Sequence, residues 1–357
     1  MRCTELANPR ILLIRPSALG DVCRTVPVLV SLRAACPNAQ IDWMVQDSFA
    51  DAVAHHPALG SVIPFPRKGF SDWWRNVNTL AALRAWLREL KARRYDVVFD
   101  CQGLFRSAFF ALMSGAPRRI GFADAREFGF LGCNVRRRID PRLHTVERML
   151  ALLAPEGVAP QRDMRLYTAE PHESWWRTHT HSLGWETAAP CVVLAPTSRW
   201  PSKRWPQSRF VELVDLLKRR NLTRIAIVGS RGEESQCADL IRHCDGTHVI
   251  NLIGATSVGQ LMAVVRNSRL IIANDSAVLH MAVGFSRPYI GLYGPTDVAR
   301  VGPYVPPPPQ RAAPGVVLQH VEPNESLHHK NPQLADGRIM ARISAQEVIG
   351  AVDQLIS

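Results

Sequence analysis

At 357 residues the chain is long enough for two domains, each with its own core. Its hydrophobic content of 46% and charged content of 21% are ordinary for a soluble globular enzyme, and no stretch approaches the ~18 consecutive apolar residues of a membrane span. The formal net charge of +12 points to an anionic partner such as nucleic acid, a membrane surface or a phosphorylated substrate, with a merely solvated basic surface as the alternative. No RNP aromatic pair and no basic region joined to heptads is present, so nucleic acid ranks last. The start of the chain lacks the apolar core of a signal peptide, which sets the expectation of a cytoplasmic protein. The eight cysteines are scattered without a C-x-x-C pair, which supports neither a disulfide framework nor a zinc site; reduced, packed thiols are expected.

In chain order, apolar runs at 11–14, 41–45, 62–64, 97–100 and 119–121 predict buried strands. Helices are predicted between them over 22–35, 47–55, 79–93 and 104–113, with another over 145–153 that carries Arg148 on its polar face. This alternation is the signature of a parallel α/β sheet. Turn chemistry at Pro155-Glu-Gly-Val-Ala-Pro160 breaks the rhythm, residues 166–171 read as a connector, and a helix over 175–183 leads into the second half. There, strands at 191–195, 224–229, 249–251, 270–274 and 289–293 alternate with helices over 210–220, 233–244, 258–267 and 277–283. No repeat at a fixed period relates the halves. Residues from about Pro303 to Met340, with Pro306-Pro-Pro-Pro309 and Pro314-Gly315, read as a long loop or insertion. Ser344-Ala-Gln-Glu347, close to a capping box, opens a final amphipathic helix over 344–356 that packs on the body.

The loop that leaves the first strand, Arg15-Pro-Ser-Ala-Leu-Gly-Asp21, places a carboxylate at or near a helix N-terminus. Open α/β sheets bind ligands at that crevice. Taken alone, Asp21 is most simply an N-cap; the rest of the chain favours a role toward a ligand. Neither half contains G-x-G-x-x-G or a Walker A loop, which argues against a classical NAD enzyme and a P-loop NTPase. In the second half, Ala195-Pro-Thr-Ser-Arg-Trp-Pro-Ser-Lys203-Arg-Trp-Pro206 follows a strand and precedes a helix. Thr197 and Ser198 offer hydroxyl donors there and Lys203 a point charge for a phosphate; a basic surface loop is the competing reading. Glu233, in Gly229-Ser-Arg-Gly-Glu233, either binds the paired hydroxyls of a ribose or caps a helix. Asn274-Asp-Ser-Ala-Val-Leu-His280 starts a helix directly after a buried strand, so the N–H groups at Ser276 and Ala277 point at an anion. His280, by itself, is more simply a core histidine. Gly294-Pro-Thr-Asp297 follows the last strand of the series. Three loops of one half with phosphate- or ribose-suited groups weigh more than any one of them.

On these residues the chain resembles the lipopolysaccharide heptosyltransferases and their relatives in glycosyltransferase family 9, over roughly Ile11 to Tyr304. The resemblance rests on the order of Ser17-Ala-Leu-Gly-Asp21, Lys203-Arg-Trp-Pro206, Asp275-Ser-Ala-Val-Leu-His280 and Gly294-Pro-Thr-Asp297. Asp100-Cys-Gln-Gly103, Ala125-Arg-Glu127 and His144-Thr-Val-Glu-Arg148 are similar to the heptosyltransferase I branch. It implies a GT-B fold, with two Rossmann-like α/β/α domains facing a central cleft: an acceptor domain over 1–170 and a nucleotide-sugar domain over 171–343. A C-terminal helix over 344–357 is then free to pack back on the N-terminal domain.

The implied reaction is an inverting, metal-independent transfer of heptose from ADP-heptose to an acidic inner-core sugar of lipopolysaccharide, with no cofactor. Asp21 matches the general base, Lys203 the diphosphate-binding lysine and Glu233 the ribose-binding acid. Thr197 and Ser198 lie beside Lys203, and Asp275, Ser276, Ala277 and His280 match the sugar and phosphate loop. On the acceptor side the implied contacts are Ser17, Gln102 and Gly103, with Arg67, Lys68 and Arg126 for the carboxylates and phosphates of an anionic glycolipid. Peripheral contact with the cytoplasmic face of the inner membrane follows from such an acceptor. Trp73 and Trp74 either meet that interface or pack in a loop. The chemistry agrees, since an inverting transfer needs one base on the acceptor hydroxyl and cationic or N–H groups on the departing diphosphate. With the base in one half and the phosphate loops in the other, domain closure is expected to assemble the site. Two departures, the proline-rich stretch after Gly302 and Ala277 where the family often has Gly, bear on donor and acceptor rather than on fold. The rival readings are a family 9 enzyme with another nucleotide-sugar or glycan, a nucleotide-sugar epimerase on the same fold, and a catalytically idle glycan-binding relative.

Overall fold

The computed structural model describes residues 2–70, 72–185, 191–307 and 313–356. The chain divides into two compact units, Met1–Tyr167 and Thr168–Ser357, so the division falls three residues before the predicted one.

The first unit runs β1 (Arg10–Ile14), α1 (Leu19–Ala35), β2 (Gln40–Gln46), β3 (Ser61–Phe65), α2 (Val77–Ala92), β4 (Val97–Asp100), α3 (Phe105–Met113), β5 (Arg118–Phe122), β6 (Val135–Arg137) and α4 (Thr145–Leu150). Its strands form one parallel sheet in the order β3-β2-β1-β4-β5-β6. Helices cover both faces of such a sheet, so its central strands read as unbroken apolar runs, and Ile11 to Ile14 are fully buried. Leu12, Ile14, Met44 and Val98 pack with Leu90 of α2 and Phe110 of α3 in one core.

The second unit runs α5 (Glu170–Ser182), β7 (Cys191–Ala195), α6 (Gln207–Arg219), β8 (Ile225–Ile227), α7 (Ala238–Arg242), β9 (Val249–Asn251), α8 (Val258–Arg266), β10 (Ser268–Asn274), α9 (Ala277–Gly284), β11 (Tyr289–Tyr293), α10 (Val298–Val301), β12 (Gly315–Gln319), α11 (Arg338–Ala341) and α12 (Ala345–Ile356). Its parallel sheet has the order β12-β11-β10-β7-β8-β9. Counted within its own unit, each sheet is the 3-2-1-4-5-6 arrangement of a Rossmann fold, whose switch point lies between the first and fourth strands. That point is β1/β4 in the first unit and β7/β10 in the second.

The structure corrects the sequence reading at several elements. The 47–55 segment forms only a 3-10 turn at Asp47–Ala52, and 233–244 is a 3-10 turn at Glu234–Cys237 followed by the short α7. The region 303–340 is not one long loop, because β12 and α11 lie within it. Pro308 and Pro309 of its proline run fall outside the described residues. The basic Arg136-Arg-Arg138 run contains most of the edge strand β6, and Arg137 joins Arg118 on the fully buried Glu156. The final helix belongs to the second unit. It packs on α6, β11 and β12, and Val348, Ile349 and Val352 complete that unit's core, so its apolar face is already occupied there. The eight cysteines are free thiols, all buried but for the half-buried Cys244. Among the described residues no helix is long and apolar enough to cross a membrane.

Candidate active site

In the first unit, register brings the candidate residues together. Ile14 pairs with Asp100 across β1 and β4, so the loops that leave the two strands run side by side. The Ser17 N–H donates to Gln102 Oε1 at 3.3 Å, and the Arg126 N–H donates to the Gly103 carbonyl at 3.0 Å. Gly103 sits at φ +68, where a side chain would be strained and would also crowd Phe122 at 3.3 Å. Arg126 is exposed, as are Arg67 and Lys68 on the loop after the edge strand β3, and Arg67 shares a concavity with Phe105 and Arg106, which follow closely on Gly103.

α1 begins at Leu19, so Asp21 lies in its first turn rather than at its cap. The carboxylate reaches back to the Ala18 N–H at 3.3 Å, satisfying one free donor of the helix start. Its other partners are two guanidiniums that sequence reasoning missed: Arg15 at 2.9 Å and Arg24, one turn along the helix. Burial alone would raise the Asp21 pKa, but the two cations outweigh it and hold the carboxyl well below the usual carboxylate range. About a quarter of the side chain, 25%, remains open to solvent. Arg15 also donates to the Cys101 carbonyl, which ties the clamp to the β4 loop. The i,i+3 spacing of Asp21 and Arg24 was the one available signal.

Asp100 was also missed. It is 1% exposed and accepts from the N–H groups of Gln102 at 2.9 Å and Gly103 at 3.0 Å, and from the Ser107 hydroxyl at 2.9 Å. Desolvation wins over these bonds and pushes its pKa up to about 6. Asp100 shapes the turn that carries Gln102, whereas Asp21 faces outward as an anion.

In the second unit, Ala195 pairs with Ala273 across β7 and β10, which sets residues 196–198 beside residues 274–276. Asn274 pins the two loops: its amide donates to the Pro196 carbonyl at 2.6 Å and its carbonyl accepts from the Trp205 N–H at 3.3 Å. Lys203, in the loop so fixed, meets Asp275 at 2.6 Å, with both side chains nearly buried. The Thr296 hydroxyl donates to the same carboxylate oxygen at 2.8 Å. Two predicted donor-binding residues thus neutralise each other in this structure. His329, a further missed neighbour, is driven down to about 4 by burial and by the Lys203 ammonium.

Glu233 accepts from the Thr197 hydroxyl at 2.6 Å and from the Ser230 N–H at 3.0 Å, and makes no cap of the 3-10 turn that follows it. A Cβ on Gly229 would stand 2.9 Å from the Thr197 hydroxyl, so only glycine leaves room for this pair. The Ser198 N–H is held by Gln236 at 3.1 Å. Ser276 occupies the N-cap of α9 with no side-chain cap, and its buried hydroxyl finds no partner among the described residues. Ala277 opens α9, and His280 is 4% exposed within it. Among the described residues no group of three or more His, Cys, Asp or Glu gathers where it could hold a metal ion.

Known proteins share this architecture. A family 9 glycosyl transferase from Veillonella parvula superposes with a TM-score of 0.83 over 98% of this chain and 97% of that one, at 23% identity. The Escherichia coli heptosyltransferase WaaC, solved with ADP-2-deoxy-2-fluoro heptose, gives 0.73 over 97% and 99% at 25% identity. The fold is therefore that of a GT-B glycosyltransferase. Residues 83–322 match glycosyltransferase family 9 (heptosyltransferase), and the chain belongs to that family. Lipopolysaccharide heptosyltransferase 1 of Salmonella typhimurium is 28% identical over 299 residues, covering 83% of this chain and 91% of that protein. The Pseudomonas aeruginosa protein of the same description is 28% identical over 306 residues, covering 83% and 81%.

Proposed function

We propose that this enzyme transfers heptose from ADP-heptose to an acidic inner-core sugar of lipopolysaccharide, with inversion and without a metal. The observation that carries the reading is that each unit bears a fitting group at its own switch point: the solvent-reached, ionised Asp21 in the first and the Lys203 loop in the second. The relatives' described activity, and the bound ADP-sugar in one of them, support it.

In this reading Asp21 takes the proton of the acceptor hydroxyl as the oxygen attacks the anomeric carbon. The C–O bond to the diphosphate breaks on the opposite face, and ADP leaves with the bonding pair. Lys203 meets the charge that develops on the diphosphate, aided by the N–H groups at Ser276 and Ala277. To do so Lys203 loosens its pairing with Asp275, which the Thr296 hydroxyl continues to hold. Thr197 keeps Glu233 in place for the ribose hydroxyls. Ser17, Gln102, Gly103, Arg67, Lys68 and Arg126 serve the anionic acceptor.

The test is calorimetric titration with ADP, UDP and GDP in EDTA, followed by transfer from ADP-heptose. Selective ADP binding is expected, with Lys203→Ala weakening it and Asp21→Ala lowering turnover about 10²–10⁴-fold at nearly unchanged donor affinity. Selective UDP or GDP binding would remove ADP-heptose as donor, and unimpaired turnover in Asp21→Ala would remove Asp21 as base.

A further inference from the structure

The first unit carries a second concavity, and of the residues assigned above to the acceptor only Arg67 lines it. It lies between α2 and α3 beyond the end of β3, with a volume of about 770 Å³. Its wall is apolar: Phe65 ends β3, Phe70 follows in the loop, α2 supplies Leu83 and Leu87 at i,i+4, and α3 supplies Phe109 and Phe110. Ring contacts fix that wall, with the Phe65 centroid 4.8 Å from Phe110 and 6.0 Å from Phe70. Around it stand three guanidiniums, Arg67, Arg84 and Arg106, none of which forms an ion pair among the described residues. Arg106 feels the Arg67 cation and, against it, the carboxylate of Glu127, with which it forms no ion pair. At the mouth, Trp73 is 48% and Phe105 59% exposed, and the neighbouring Trp74 is 62% exposed.

The floor of the cavity is aliphatic and aromatic, and its polar groups are gathered chiefly in the guanidiniums around it. A contiguous apolar surface open to water is unfavourable, and unpaired guanidiniums draw in an anion. One chemical class answers both features, an acyl chain joined to an anionic head. We propose that this cavity takes an acyl chain of an anionic membrane lipid, whose phosphate pairs with Arg67, Arg84 and Arg106. Trp73 and Trp74 then sit at head-group level, where amphipathic rings are favoured. The site needs no nucleotide-sugar and goes beyond the proposed transfer. It would hold the enzyme at a surface on which a lipid-linked acceptor is presented.

The test uses the full-length protein with vesicles of phosphatidylcholine alone or with about 30% phosphatidylglycerol, the latter also with acyl-brominated lipid. Binding to the anionic vesicles is expected, with bromine quenching of tryptophan emission that diminishes in Trp73→Phe. Arg84→Gln/Arg106→Gln should weaken vesicle binding about 30-fold, at roughly tenfold per 1.4 kcal/mol and about 1 kcal/mol for each basic residue at the surface. The same variant should transfer normally to an acceptor stripped of its acyl chains. Wild-type protein that ignores both vesicles would overturn the proposal, as would anionic-vesicle binding without bromine quenching, which marks a basic surface alone. Vesicle binding with quenching but no heptose transfer would uphold the lipid site and remove the proposed reaction.

Discussion

Asp21 combines two properties that pull against each other. A carboxylate held by Arg15 and Arg24 is ionised at any physiological pH, which a base requires, yet those cations also make it a weak base. Its depressed pKa contributes stability above the unfolded value of about 3.9, and that stability is lost as pH falls through the folded value. A substitution at Asp21 therefore strands two nearly buried guanidiniums at neutral pH, and its kinetics need a melting control. Arg24 offers a cleaner probe. Removing one guanidinium raises the Asp21 pKa, and because the base acts deprotonated, the acid limb of the pH–rate profile moves upward. Arg24→Gln should bring that limb into view when kcat/KM is measured from about pH 4.5 to 8, while the wild-type limb lies lower. A limb that stays where it was would mean that Arg24 does not set the base. Asp100 titrates the other way, pushed up to about 6 by burial, and its bonds all point inward to the β4–α3 turn. Two carboxylates beside one switch point thus have separate tasks, one reaching solvent and one shaping the loop that holds Gln102.

At the scale of elements, the strands that the sequence disclosed are those whose own residues carry the burial. The runs at 97–100, 191–195, 249–251 and 289–293 match β4, β7, β9 and β11 residue for residue. β6 and β12 were hidden because their own residues carry little burial: two of the three residues of β6 are arginine, and β12 is at most half-buried behind a proline-rich run. The site followed the same rule. Asp21, Lys203 and Glu233 stand in or just after loops with local punctuation, whereas the pairing of Lys203 with Asp275 and the clamp of Arg15 depend on strand register. α12 shows a further limit, since amphipathicity announced a packed helix without naming its bed. Ile349 is 5% exposed in the second unit's core, so Ile349→Ala should cost about 2–5 kcal/mol in denaturant unfolding. ADP affinity should persist at temperatures where the variant is folded. A negligible loss of stability would show that α12 does not pack where the structure places it.

At the scale of the whole molecule, two sheets of one topology carry unequal charge. Residues 1–167 hold 24 Lys and Arg against 15 Asp and Glu, whereas residues 168–357 hold 19 against 16. Most of the positive excess therefore lies on the unit with Asp21, Arg67 and Arg126, and the unit with the Lys203 loop is nearly balanced. Excess charge of this kind speeds encounter with anions and fades with ionic strength, because the Debye length shrinks from about 10 Å at 0.1 M to about 3 Å at 1 M. Screening acts most on exposed groups, and Arg67, Lys68 and Arg126 are exposed whereas the Lys203 side chain keeps 12% of its surface. Raising NaCl from about 0.05 to 0.5 M should thus raise the KM for a de-acylated anionic acceptor several-fold, with a smaller change in the dissociation constant of ADP. Equal salt slopes for the two ligands would place the working cations of both substrates in like environments. The excess on the first unit would then be general surface charge rather than part of acceptor recognition.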